Sequence, residues 1–356
     1  MYNWSRSRVF RGTSAIVAVI CLFTVCVSLS ACRGVERVPR VVKIGLAGSF
    51  EGLYRSSGYE ALHAVKLAVA EWNSRGGVAG RPVELVALDD SGSAGQSQRQ
   101  PTELAADLDI LGAVGHSQAD TTDAALSEYA RLGLPLVSPS AWTRNPDSEW
   151  VFFAGGAYLQ EAVAALRGAG LEFGAHIAVV GGGEEWLRLS SWAATILRPG
   201  EVVPADAAAV VLAGPADRAA EWARAIGSAP NRPFVGGSDL GGAVFAALAG
   251  EKAAGVWIGR TAVRAGPSEW EPFRQAYASA AGAEPGMLAP VAYDATNVLL
   301  AAMERAAKAG DLSRAGVARA LRQTDWQGLT GRIAFDDSGA RTNVETVVVQ
   351  LAAEKP

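Results

Sequence analysis

The residues of this chain that could do chemistry sit just after apolar runs, and few of them form a reactive set. Asp89-Asp90 follows VELVAL (83–88), where an acidic pair could hold magnesium or accept a phosphoryl group. Capping of the following turn needs no third partner, and we read the pair that way. Gly181-Gly182-Gly183 follows another apolar run but lacks G-x-G-x-x-G spacing, and Glu184-Glu185 would repel a pyrophosphate at the next helix start. The sequence contains no G-x-x-x-x-G-K-[S/T] phosphate loop and no G-x-S-x-G elbow. His63, His116 and His176 are far apart and have no metal-ligand spacing. His63 reads as a solvated helix position, His176 as a strand edge, and His116 as a hydrogen-bonding residue of a cleft loop. The expectation is a chain with no catalytic residue, no metal and no cofactor, and therefore not an enzyme.

A different chemistry is visible in the loops themselves. Segments 48–58, 89–95, 115–122, 138–146, 155–160, 181–186 and 236–242 are rich in Gly, Ser and Thr, with aromatic residues among them. Backbone N–H groups at helix N-termini suit a carboxylate. Aromatic rings supply apolar walls. That combination describes a binding site for a small molecule.

The elements that must position these loops alternate. VVKIGLAG (41–48) is a buried strand, and 58–73 a helix with Leu62, Val65, Val69 and Trp72 on one face. Strands follow at 83–88, 110–114 and 134–138. Helices lie at 94–108, which Pro101 should kink or restart, and at 122–132. A second series begins near Val151, with strands at 151–154, 176–181, 208–214 and 233–237 and helices at 159–166, 184–197, 216–226 and 242–248. A helical stretch over 268–323 precedes strands at 331–335 and 345–351. This pattern predicts an α/β protein of two doubly wound parallel-sheet lobes. Ligands of such sheets sit at the C-terminal strand ends, so two facing lobes would line a cleft.

Composition agrees. With 356 residues and 49% hydrophobic content, two cores are feasible and disorder is excluded. A net charge of −4 gives no basic footprint, so no nucleic-acid partner is expected. The three cysteines, Cys21, Cys26 and Cys32, all lie near the start. Residues 1–31 carry Arg6, Arg8 and Arg11, no acid, and an apolar run over 15–29, the layout of a secretory signal. The run ends in Leu29-Ser30-Ala31-Cys32, which resembles the bacterial lipobox. Cleavage before Cys32 would leave 325 residues of net charge −7, since three arginines leave with the signal. Acyl chains on Cys32, at about 0.8 kcal/mol per buried methylene, would tether the protein outside the cytoplasm through residues 32–40.

Over nearly all of this mature length the sequence resembles the type I periplasmic solute-binding proteins of branched-chain amino-acid ABC transporters. The residues that carry the likeness are KIGLAGSFEG (43–52), GYEALHAVKLAVAEWNSRGGVAGRPVELVALDD (58–90), LAADLDILGAVGH (104–116), YARLGLPLVSPSA (129–141), YDATNVLLAAMERA (293–306) and GLTGRIAFDDSG (328–339). The element Asn73-x-x-Gly-Gly-Val-x-Gly-Arg81, followed by a strand and Asp-Asp, is its most specific part.

The resemblance implies an N-terminal lobe of 41–155 plus 261–330 and a C-terminal lobe of 156–260 plus 331–356, closing on a small ligand. The implied partners are that ligand, an ABC permease with its ATPase, and the membrane through the lipid anchor, with the protein a monomer. A receptor that signals closure without transport is the alternative.

Carried over residue by residue, the carboxylate-binding positions fall at Ala119, Ser140 and Ala141, with Ser117 and Thr121 nearby, and Trp142 replaces a threonine. The covering aromatic falls at Trp186. The acidic partner of an ammonium falls at Ser238, beside Asp239, and a second acidic position at Ala157, beside Tyr158. Tyr54, Trp142, Tyr158 and Trp186 are the expected walls. Loss of the acidic partner argues against a plain α-amino acid. The second lobe is also expected to be short by about one βα unit between Trp186 and the strand at 208.

Overall fold

The computed structural model describes residues 41–143, 148–188, 192–198, 200–226 and 232–352. The proposed signal, Cys32 and the tether lie outside the described residues. β1 (Val42–Gly48) is apolar apart from Lys43, as suits a central parallel strand, and its other residues are buried. Helix α1 (Arg55–Ser74) buries Gly58, Ala61, Ala64, Val65, Ala68 and Val69, a stripe at helical spacing. The Asn-x-x-Gly-Gly element then turns the chain. Gly77 has φ +73°, and a Cβ there would lie 1.9 Å from the Arg81 carbonyl oxygen. The Asn73 side chain donates to the Val83 carbonyl at 2.9 Å and accepts from the Val83 amide at 2.8 Å, which ties the helix end to β2 (Val83–Asp89).

Two short helices, α2 (Ala94–Ser97) and α3 (Gln100–Ala106), replace one long one, with Pro101 in the first turn of the second, where its missing N–H costs nothing. Then follow β3 (Ile110–Gly115), α4 (Ala119–Leu132), β4 (Leu136–Ser138) and β5 (Val151–Phe153). The first sheet is all parallel in the order β2-β1-β3-β4-β5. VFFA therefore completes the first sheet instead of opening the second series.

After α5 (Tyr158–Gly168) the chain enters a second sheet with β6 (His176–Val180). Among the described residues, the helix expected over 184–197 is absent. A 3-10 helix (Glu184–Arg188) stands there, and β7 (Ala193–Leu197) pairs parallel with β6 at the sheet edge. A weakly periodic segment takes the conformation that tertiary pairing offers. The expected deficit thus concerns crossover helices; the strand itself is present.

β8 (Ala209–Leu212), α6 (Ala216–Ile226), β9 (Phe234–Gly236), α7 (Ala243–Ala249) and β10 (Trp257–Thr261) continue the lobe, the last being a strand not anticipated from the sequence. Helices α8 (Pro267–Ala281), α9 (Ala289–Lys308) and α10 (Arg314–Arg322) follow. α8 and α9 pack on α1, on the first lobe. β11 (Trp326–Gly328) and β12 (Gly331–Ile333) form a separate hairpin, and β13 (Thr346–Gln350) pairs antiparallel with β10. The second sheet runs β13-β10-β9-β8-β6-β7. The fold is α/β with parallel sheets in two lobes.

Candidate functional site

The C-terminal ends of the first sheet carry a buried polar network. At the end of β2, Asp89 accepts from the amides of Phe50, Glu51 and Ser91, the turn-capping role expected of it. Asp90 lies inside: it accepts from the Ser49 hydroxyl at 2.8 Å and the Gly92 amide at 2.9 Å, and it meets His116 Nδ1 at 2.6 Å. Asp90 and His116 have no solvent exposure, so their pairing holds three strand ends together. Beyond β3 and β4, Thr122 Oγ1 lies 2.9 Å from the Ser140 hydroxyl, itself 2.9 Å from that of Ser138.

Tyr54 leaves this lobe and enters the other. Its ring joins the apolar cluster of Ala216, Leu240 and Val244, and its hydroxyl donates to Asp217 at 2.7 Å while accepting from the Asp217 amide. Between the lobes lies a cavity of about 240 Å³. The first lobe contributes Tyr54, Ser117, Gln118, Ser140 and Ala141 to it, the second Glu161, Ser238, Asp239, Val244 and Arg260, and the α8–α9 connection Met287. The volume is below that of drug-sized pockets, which suits a compact solute.

The charges here are shifted by their surroundings. Burial pushes the Glu161 carboxyl up to about 8, against the pull of bonds donated by the Ser238 amide (2.9 Å) and hydroxyl (2.8 Å). Burial, with the neighbouring Asp120 charge, pushes Asp239 up to about 7, and the Ala119 amide opposes this. Burial lowers the Arg260 guanidinium. Its Nε is buried without a hydrogen-bond partner.

Of the residues named from the sequence, Tyr54, Ser117, Ser140, Ala141, Ser238 and Asp239 line this cavity. The others stand behind it. Ala119 is the buried first residue of α4, with its amide toward Asp239. Thr121 is fully buried and donates to the Gln118 carbonyl at 3.2 Å. Trp142 packs on Phe153 with ring centroids 6.1 Å apart, and its backbone exchanges bonds with Gly156 and Tyr158. The Tyr158 hydroxyl donates to the Leu212 carbonyl at 2.8 Å, and its ring meets Trp186 edge-on in the second lobe's core.

Sequence reasoning passed over Glu161 and Arg260. Glu161 had a signal: a carboxylate on the α5 face that otherwise buries Tyr158, Ala162 and Ala165. Arg260 had none, because its strand was not anticipated. Among the described residues, no three His, Cys, Asp or Glu side chains could hold a metal ion, and no helix is long and apolar enough to cross a membrane.

No curated protein matches this chain. Several solved structures resemble it. The branched-chain amino acid transporter substrate-binding protein LivJ from Streptococcus pneumoniae, in complex with isoleucine, is 20% identical with a TM-score of 0.72, over 89% of this chain and 97% of that one. The leucine-binding protein LivK from Thermotoga maritima is 20% identical with a TM-score of 0.72, over 88% and 96%. A solute-binding protein of an ABC transporter from R. palustris, in complex with benzoate, is 19% identical with a TM-score of 0.67, over 89% and 94%. The family model described as periplasmic binding protein matches residues 41–195 and 201–355. Two parallel-sheet lobes, a cavity between their strand ends and a family match over most of the chain lead to one conclusion: this chain belongs to the periplasmic binding protein family, in the type I fold of the branched-chain amino-acid ABC transporter substrate-binding proteins.

Proposed function

We propose that this protein captures a small polar or amphipathic solute between its lobes outside the cytoplasm and delivers it to an ABC importer. The observation that supports this reading most is the cavity, lined by side chains of both lobes and made of polar groups on apolar walls. A ligand touching both lobes stabilises the closed form by its differential affinity, which gives a permease a shape to recognise. Cys32, by the sequence reading, carries the lipid that keeps the protein at the membrane. Membership of the family supports a small-molecule ligand and a permease partner.

The test is a metabolite screen by thermal shift and intrinsic tryptophan fluorescence, followed by uptake in cells with and without the protein. A ligand at 100 times its Kd should stabilise the fold by about 2.7 kcal/mol. A screen covering amino acids, amides, organic acids and aromatics with no shift in either signal would sink the proposal. Labelling of wild-type but not Cys32→Ser protein by a fatty-acid analogue tests the anchor, and labelling of both would refute it.

A further inference from the structure

Resting on that reading of the cavity, and naming its ligand class, we propose that Arg260 anchors the ligand and that the ligand is a small monocarboxylate carrying no ammonium group. Arg260 is the one cation among the described residues that line the cavity. It is part-buried at the end of β10, its Nε makes no hydrogen bond, and the Glu161 carboxyl, whose charge acts on it, makes no salt bridge with it. A guanidinium in this condition lacks a planar acceptor, and a carboxylate is the group its fork fits.

The carboxylates of the same cavity are in the opposite condition. Glu60 Oε1 accepts from the Leu288 and Ala289 amides, both at 2.7 Å, at the N-terminus of α9. Glu161 Oε2 accepts from the Ser238 amide and hydroxyl. Asp239 from the second lobe faces the Ala119 amide at the N-terminus of α4. Each acid thus already accepts from the protein's own donors, and an ammonium would have to compete with them. Burial also keeps a proton on Glu161 up to about 8, so at neutral pH it is a poor counter-charge for a cation and a tolerable neighbour for an anion. An α-amino acid would bury its ammonium beside acids already engaged, a desolvation cost that its ammonium-free counterpart does not carry. Met287, Leu288, Val291, Val244 and Pro139 supply apolar surface for the ligand's body.

Two matched pairs of probes test this by calorimetric titration: 4-methyl-2-oxopentanoate against leucine, and benzoate against benzamide. The carboxylate without ammonium is expected to bind at least tenfold more tightly than its partner in every pair that binds at all. Arg260→Gln should weaken that binding at least tenfold while Arg260→Lys retains part of it, with circular dichroism of both variants unchanged. Leucine binding as well as 4-methyl-2-oxopentanoate would overturn the proposal. So would undiminished carboxylate binding by a folded Arg260→Gln protein. Binding of leucine or benzamide alone would overturn this assignment and leave the solute-binding reading standing. Absence of binding by all four probes overturns the assignment, and the broader metabolite screen then decides the solute-binding reading separately.

Discussion

The two lobes solve the same architectural problem with different completeness. The first sheet has a helix in each of the crossovers that join β1, β2, β3 and β4, and its strand ends are locked by a neutral-to-acidic network in which Asp90 and His116 pair without solvent. The second sheet has no α-helix among the described residues between β6 and β8: a 3-10 turn and extended chain replace two crossover helices, and Val202 stands 87% exposed. Parallel strands tolerate this only at an edge, where β7 lies. The comparison teaches that the first lobe holds the cavity's shape, whereas the second brings to it a buried carboxyl and a guanidinium whose Nε has no partner. Glu161 and Arg260 both belong to the second lobe's elements, and neither has an equivalent in the network of the first.

Breaking the Asp90–His116 pair should give the largest effect. Asp90→Ala leaves His116 and Ser49 buried without their acceptor, at about 1–3 kcal/mol for each orphaned group, so a loss of about 2–6 kcal/mol is expected in a urea melt. A loss under about 1 kcal/mol would show that the first lobe does not depend on this network.

The charged second lobe should instead reveal itself in pH. Glu161 and Asp239 hold their protons up to about 8 and about 7 in the folded protein, against ordinary values of 4.5 and 3.8. Between those values the folded state binds more protons than the unfolded one, so stability falls as pH rises. Their favourable contribution is complete below pH 4 and lost as pH passes 7 to 8. Melting temperature should therefore decline from pH 5 to pH 8.5, and Glu161→Gln should flatten the decline. An unchanged slope in that variant would place the proton elsewhere.

The link between the lobes is next in size. Tyr54→Phe keeps the ring among Ala216, Leu240 and Val244 and removes the hydroxyl bonded to Asp217. A hydrogen bond to a charged acceptor is worth about 1.5–3 kcal/mol, so the variant should shift toward an open form, seen as a larger radius of gyration in small-angle scattering. Identical scattering with and without ligand, in both proteins, would remove Tyr54 from any role in closure. The smallest effect is expected at the exposed edge. Val202→Ser should change stability by no more than about 0.5 kcal/mol, and a larger loss would mean that this segment is covered in solution.

Legibility followed the same division. The β1–α1–β2 unit was readable because its signals are local: an apolar run, a 3.6-residue stripe, and an Asn-x-x-Gly-Gly turn whose glycine conformation and Asn73 bonds close within a few residues. Segment 184–197 misled because alanine and leucine at loose helical spacing say little about a strand whose partner is β6. Aromatic residues after strands also misled in part. Trp186 and Tyr158 sit at strand ends as expected, yet their rings are held against each other in the core, and the cavity is lined by neighbours on the next turn or strand.

By itself the sequence determined the alternation of elements, the glycine turns and the absence of reactive motifs, since each depends on residues within one turn or one strand of each other. Tertiary structure alone decided which side chains share the cavity. Glu60 meets Leu288 from 228 positions away, and Tyr54 meets Asp217 from 163. Whether Arg260 finds a partner or stands ready for a ligand depends on what those long-range contacts leave over, and no local pattern encodes that remainder.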